Sequence, residues 1–192
     1  MRVLIAGASG LIGTELSRQL IAAGHSPVRL VRREVHATNE VRWDPAAALL
    51  DPSVLDDCDA IVNLSGASLA RLPWTGGYRA EILRSRLQAT RTLTDALGRA
   101  STPPTILLNG SAVGFYGDRP GEVLDEASPA GTDFLADVVV QWEEEARRAP
   151  ASTRVVMLRT GLVLAKGGAL KPVMPPGKVP MAISSVSPGS RS

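Results

Sequence analysis

The feature that most constrains this chain is its first sixteen residues, MRVLIAGASGLIGTEL. Val3, Leu4, Ile5 and Ala6 form a short apolar run, rich in β-branched residues, that predicts a buried strand. Gly7, Gly10 and Gly13 follow at three-residue spacing, and the helical pattern Leu11, Ile12, Leu16, Leu20 begins among them. Strand, glycine turn and helix N-terminus in that order form the geometry that holds the diphosphate of a dinucleotide. Gly7 permits the tight turn, Gly10 lets a phosphate approach the backbone, and Gly13 lets the helix sit close on the strand. The free N–H groups and positive dipole end of the helix then face the anion. Glycine turns also serve purely structural βα units; the position directly after a buried strand favours the dinucleotide.

The second strand, Val28 to Val31, ends at Arg32 and Arg33. About twenty residues past the first glycine, an NAD site places an acid on the ribose 2′-hydroxyl, whereas a basic residue accommodates a 2′-phosphate. The two arginines therefore argue for NADP rather than NAD, with Arg32, nearer the strand end, the better candidate. A pair of solvated arginines closing a surface strand is the plain alternative, and Glu34 is the one feature that supports NAD.

Composition excludes several classes. At 192 residues, 44% hydrophobic and 21% charged, the chain is globular and large enough for a core. A net charge of +2 with interleaved signs leaves no electrostatic footprint for nucleic acid. Cys58 is the only cysteine, which excludes an intrachain disulfide and fits a reducing compartment. The two histidines, His25 and His36, have no neighbouring ligand cluster, so no metal is expected. With no leader pattern and no apolar run of spanning length, the expectation is a soluble cytoplasmic protein without membrane contact.

Along the chain, Leu11 to Ala23 reads as a helix closed by Gly24. Val41 to Trp43 suggests a third strand, and residues 46 to 58 are weakly patterned. Ala60 to Leu64 is a buried strand running into Ser65-Gly66-Ala67, where small residues let a ligand pass over the strand end or simply form a turn. After a loop holding Trp74, a helix runs from about Tyr78 to Arg99 with Ile82, Leu83, Leu87, Thr90, Leu93 and Leu97 as its apolar stripe. Thr105 to Asn109 is the next strand, opening into Gly110–Gly117. Thr132 or Asp133 caps a helix to about Ala149, with Phe134, Leu135, Val138, Val139, Trp142 and Ala146 inward. Glu143–Arg147 and Glu144–Arg148 are its i,i+4 pairs. Arg154 to Leu158 is a sixth strand, with Leu162 to Leu164 as an extension. The order predicts an α/β fold, a doubly wound parallel sheet covered on both faces, over residues 1–170. From Lys171 the text carries five prolines and no period, and reads as an irregular tail over residues 171–192.

Taken together, the glycine turn, the strand ending NLSGAS, the helix SRLQATRTL and the segment NGSAVGFYGD resemble an extended short-chain dehydrogenase/reductase. More closely, they resemble the atypical NAD(P)-dependent epimerase-like subgroup, the sugar-nucleotide epimerase family. The resemblance implies a Rossmann fold, an NADP cofactor, and a nucleotide sugar or similar hydroxyl/carbonyl substrate. It also implies roles by position. GASGLIG, including Ser9, Leu11 and Ile12, matches the diphosphate loop. Val31 and Arg32 match the pair beside the adenosine ribose. Leu64, Ser65 and Gly66 match the segment whose backbone faces the cofactor, and EILRSR adds Glu81 and Arg86. Relatives dimerise through the helices matching Tyr78 to Arg99 and Phe134 to Ala149, which admits a homodimer.

In the wider family a Tyr-x-x-x-Lys pair and an upstream serine carry the hydride chemistry. The lysine lowers the tyrosine pKa, so that the phenol serves as general acid/base. Ser111 matches the serine, whereas FLADVVVQWEEEA contains neither tyrosine nor lysine. Tyr116 matches the tyrosine of a Tyr-Gly turn, which leaves Ser111 and Tyr116 as the catalytic candidates. Relatives continue past Leu170 into a substrate-binding portion where this chain enters its proline-rich stretch. The expectation is a truncated member lacking half the substrate pocket. The readings are then an NADP-dependent epimerase/oxidoreductase, a non-catalytic NADP-binding module (a sensor or scaffold), and a truncated, inactive family member that folds poorly.

Overall fold

The computed structural model describes residues 1–163; the proline-rich stretch lies outside them. Six strands form one parallel sheet: β1 (Arg2–Ala6), β2 (Ser26–Val31), β3 (Glu40–Arg42), β4 (Ala60–Asn63), β5 (Ile106–Ala112) and β6 (Arg154–Thr160). Their order across the sheet is β3-β2-β1-β4-β5-β6. The chain thus winds one way from β1 to β3 and the other way from β4 to β6. The switch falls between β1 and β4, where an open α/β sheet forms its ligand crevice. Val3, Leu4, Ile5 and Ala6 are buried on both faces, as a central strand of such a sheet requires.

Three helices cover the sheet: α1 (Leu11–Ala22), α2 (Gly76–Leu97) and α3 (Phe134–Ala146). Gly24 closes α1 at φ +76°, with its amide donating to the carbonyl of Ile21 and that of His25 to Leu20. Thr75 and Asp133 cap α2 and α3 through side-chain oxygens that accept from Tyr78 and Ala136 amides. No helix joins β3 to β4. An Asp44–Leu49 bridge and a short 3₁₀ helix, Pro52–Leu55, fill that connection and bury Trp43, Leu50 and Leu55.

Two elements depart from the expected ones, each for a tertiary reason. The fifth strand runs on to Ala112 instead of opening at Gly110, because β6 pairs with it as far as Ala112↔Thr160. Gly110 belongs to the strand because the ring of Trp142 lies where its side chain would be, 2.9 Å from an ideal Cβ. In α3, Glu143 and Glu145 are buried alongside Trp142, not solvated. Glu143 does pair with Arg147 at 2.9 Å, but Arg148 turns to Glu145 and to Asp95 of α2, not to Glu144. The sixth strand ends at Thr160, and residues 161–163 do not extend it.

Candidate cofactor site

The three glycines of the first turn have different reasons to be glycine. Gly7 takes φ +82°, and an ideal Cβ there would lie 2.7 Å from the Leu64 carbonyl group. A Cβ on Gly13 would lie 2.3 Å from the Gly7 oxygen and 2.8 Å from Ala8 Cα. Gly7 and Gly13 are therefore needed by the chain's own backbone, where β1, β4 and α1 meet. Gly10 is not: its φ is −74°, and a Cβ would meet only the Gly7 oxygen, at 3.3 Å. Its exposed face is a cradle that a side chain would fill, as expected where a diphosphate rests on backbone.

That cradle opens onto the N-terminus of α1, which has no acidic residue in its first turn and, unlike α2 and α3, no side-chain cap. The first amide of the helix bonded back to the turn is that of Thr14, donating to Gly10 at 2.9 Å. The amides ahead of it are left for an outside acceptor. Ser9, Gly10, Leu11 and Ile12 are all exposed there. Replacing Gly10 by valine is accordingly expected to leave the unfolding free energy within about 1 kcal/mol of wild type. The same change should weaken dinucleotide binding at least about tenfold. Denaturation and cofactor titration on one preparation check both halves.

The sheet delivers two further groups to the same edge. Val31 is half-buried at the end of β2, and Arg32 follows it, exposed and without an ion pair or side-chain hydrogen bond among the described residues. Arg33 is spent elsewhere, on Glu40. At the end of β4 the Leu64 amide donates to Ala6 at 2.8 Å, and Ser65 donates to the side chain of Asn63 at 3.2 Å. Gly66 lies against Arg86, whose Cζ would be 3.0 Å from its Cβ. Arg86 donates only to backbone carbonyls, Ala67 at 3.3 Å and Ile82 at 2.9 Å, and stacks 5.2 Å above the Trp142 ring. Burial lowers its pKa, yet a guanidinium stays charged. It has no carboxylate partner among the described residues. Glu81, half-buried on the same helix, pairs with Arg84.

Beneath these strand ends lies a polar network that the chain's order does not announce. Asn63 donates to Asn109 at 2.7 Å and to Thr90 at 2.9 Å, and the Trp142 indole donates to the same threonine oxygen at 2.9 Å. It ties β4, β5, α2 and α3 together under the site.

Ser111 and Tyr116 occupy a second, buried cluster. The Ser111 hydroxyl donates to Glu143 at 2.6 Å. Arg159 grips the same carboxylate with a fork, 2.8 Å and 3.0 Å, and donates to the Tyr116 hydroxyl at 3.0 Å. Its guanidinium stacks 3.5 Å from the Phe115 ring centroid. Burial pushes the Glu143 carboxyl up, but the Arg159 fork, the Ser111 hydroxyl and the guanidinium charges outweigh it and hold the pKa low. Arg159 is raised in turn, chiefly by that carboxylate. The sequence pointed to the Glu143–Arg147 pair but not to Arg159. The only hint was an arginine directly following the apolar run Val155–Leu158. Among the described residues no group of histidine, cysteine and acidic side chains could hold a metal, and no helix is long and apolar enough to cross a membrane.

A 3-2-1-4-5-6 parallel sheet with an uncapped, glycine-turned helix at its switch point is the NAD(P)-binding Rossmann class. Residues 3–188 match the NAD dependent epimerase/dehydratase family, and the chain belongs to it. An epimerase family protein of Mycobacterium bovis is 43% identical over 169 residues, covering 88% of this chain and 56% of the relative. A crystal structure of a human epimerase family protein (isoform 2) with NADPH is 36% identical with a TM-score of 0.80, covering 88% of this chain and 57% of that one. A nucleoside-diphosphate sugar epimerase from Corynebacterium glutamicum is 34% identical, with a TM-score of 0.76 over 90% of this chain and 36% of that one. The chain spans about half the length of the curated relatives it matches, 56% of the first.

Proposed function

We propose that this chain binds NADP across the ends of β1, β2 and β4, as the cofactor-binding part of an epimerase/dehydratase-type oxidoreductase. The observation that carries this is the pairing of the uncapped α1 N-terminus with the unpartnered guanidinium of Arg32 one strand away. The amides of Ser9 and of Leu11–Gly13 would take the diphosphate, that of Gly10 being bonded to Gly7, and Arg32 would take the 2′-phosphate. Leu64, Ser65 and Gly66 would lie along the cofactor, and Glu81 and Arg86 would hold its far side. The human relative solved with NADPH supports the choice of cofactor. When bound, the nicotinamide would supply a hydride acceptor or donor for a hydroxyl/carbonyl centre. The nucleotide-sugar class of substrate is supported by the description of the Corynebacterium relative.

One observation favours a second reading, binding without efficient turnover. The Ser111 proton is already committed to an ionised Glu143, and Tyr116 accepts from Arg159. Glu143, its pKa held low by Arg159, is a weak base toward Ser111, and the helix that would carry Tyr-x-x-x-Lys has neither residue.

Titration of the chain with NADPH and NADH tests the cofactor. NADPH should bind tighter and raise the melting temperature. Arg32→Ala should cost NADPH roughly 1.5–3 kcal/mol, the worth of a charge-assisted phosphate contact, and leave NADH nearly unchanged. Equal losses for both cofactors would refute the 2′-phosphate role. Oxidation or epimerisation of nucleotide sugars by wild type but not by Ser111→Ala would separate the two readings.

A further inference from the structure

We propose that Glu40 is a positioning residue that sets the preference of the site for a 2′-phosphorylated dinucleotide, acting through Arg33 on the loop that carries Arg32. The inference rests on the NADP reading above and adds to it the group that enforces the choice.

Glu40 opens β3, level with Arg29 of β2 in the parallel register. Although it stands at the sheet edge, its side chain is only 2% exposed. Three hydrogen-bond donors and one further guanidinium converge on its carboxylate. Arg33 reaches it with both Nη atoms, at 2.9 Å and 2.7 Å, Arg29 lies at 3.1 Å, and the backbone amide of His36 donates at 2.9 Å. The same Arg33 guanidinium donates to the carbonyl of Glu34 at 2.6 Å. These charged contacts hold the Glu40 pKa at about 2, the Arg33 fork contributing most, so the carboxylate stays ionised at any working pH.

The contacts fasten residues 33, 34 and 36 of the β2–β3 connection back onto the sheet. Three consequences point the same way. Arg33, equal to Arg32 in the sequence, is withdrawn from the crevice by a two-point ion pair. Arg32 is left as the free guanidinium on a stretch whose neighbours are fixed, so little conformational freedom remains to be lost when a phosphate arrives. Glu34, the one acid near enough in sequence to hold a ribose hydroxyl, has its backbone pinned by Arg33. The pair thus preorganises the cation and restrains the competing acid.

The experiment measures dissociation constants of NADPH and NADH on the whole chain for wild type, Glu40→Gln, Arg33→Ala and the double variant. Glu40→Gln should weaken NADPH about tenfold while NADH changes less than about twofold. Arg33 is half-exposed, so Arg33→Ala keeps the test sound should the buried substitution unfold the chain. It should give the same NADPH-specific loss, and the double variant no more than either single one, because both break one contact. Equal losses for the two cofactors would make the cluster merely structural. Unchanged or tighter NADPH binding, or additive losses, would also overturn the proposal. A wild type that prefers NADPH beside an unaffected Glu40→Gln refutes Glu40 alone. A wild type that binds neither cofactor removes the NADP reading, and this inference with it.

Discussion

Replacing Gly13 by alanine should destabilise the protein by about 3 kcal/mol or more, although alanine is the better helix former by about 1 kcal/mol. The added Cβ would stand 2.3 Å from the Gly7 oxygen, 2.8 Å from Ala8 Cα and 3.0 Å from the Gly7 carbonyl carbon. All three are backbone atoms, so no side-chain rotation relieves the clash. Either α1 lifts off the turn or the turn itself moves. Both displace the amides proposed to hold the cofactor, so binding should fail with stability. Gly77→Ala, in the first turn of α2 with open space around it, is the control and should stabilise slightly. Urea unfolding of the two variants decides the matter. A Gly13→Ala protein as stable as Gly77→Ala would mean that the close strand–helix approach is not required.

The second large effect belongs to Glu143, fully buried and gripped by Arg159, whose side chain is 16% exposed. Glu143→Ala strands that guanidinium and removes the acceptor of the Ser111 hydroxyl. A loss of about 3–5 kcal/mol is expected, mostly the cost of an unpaired buried charge and not the net worth of the pair. Arg147, which touches the same carboxylate from the half-exposed rim, should cost less than about 1 kcal/mol when replaced by alanine. The pH dependence has a definite sign. The Glu143 carboxyl is held below its ordinary range in the folded state, as is that of Glu145 between Arg91 and Arg148, despite the opposing effect of burial. Their contribution is therefore complete above the usual carboxylate range and is lost as pH falls through the folded-state values. The acid limb of the stability curve should be shallower in Glu143→Ala. An unchanged limb would mean that the cluster does not control acid unfolding.

These effects divide along the range of the interactions behind them. The strand, the turn and the start of α1 were legible because each depends on neighbours within a dozen residues. The apolar run Val3–Ala6, the left-handed Gly7 and the first helical turn are written in one continuous stretch. Arg32 was legible for the same reason, since a residue that follows a strand must appear at its carboxyl end. Its advantage over Arg33 was readable only as nearness. The structure supplies the cause: Glu40, seven residues beyond Arg33, binds one arginine and leaves the other.

Glu143 shows the opposite case. In the text EEEARR, three acids and two arginines read as i,i+4 pairs along one helix. The acids differ only in which of them the helix turns toward β5 and β6. Buried charge cannot be recognised from residue type, because it becomes stable only when a partner such as Arg159 arrives from another strand. The length of β5 was hidden likewise, since Gly110 reads as a breaker until Trp142 is seen filling the space above it. The burial of Arg86 against the turn at Gly66 was hidden as well, since nothing near it in the sequence marks that contact.

The amino-acid sequence by itself determined the elements, their parallel winding and the anion-ready turn at the head of α1, because local sterics and hydrophobic period suffice for these. Only the tertiary structure decided which arginines remain free at the crevice, Arg32 and Arg86, and which are neutralised. The reason is that a charge finds its partner through space, and here each deciding carboxylate, Glu40 or Glu143, is brought to its arginine by the register of adjacent parallel strands or by the packing of a helix across them.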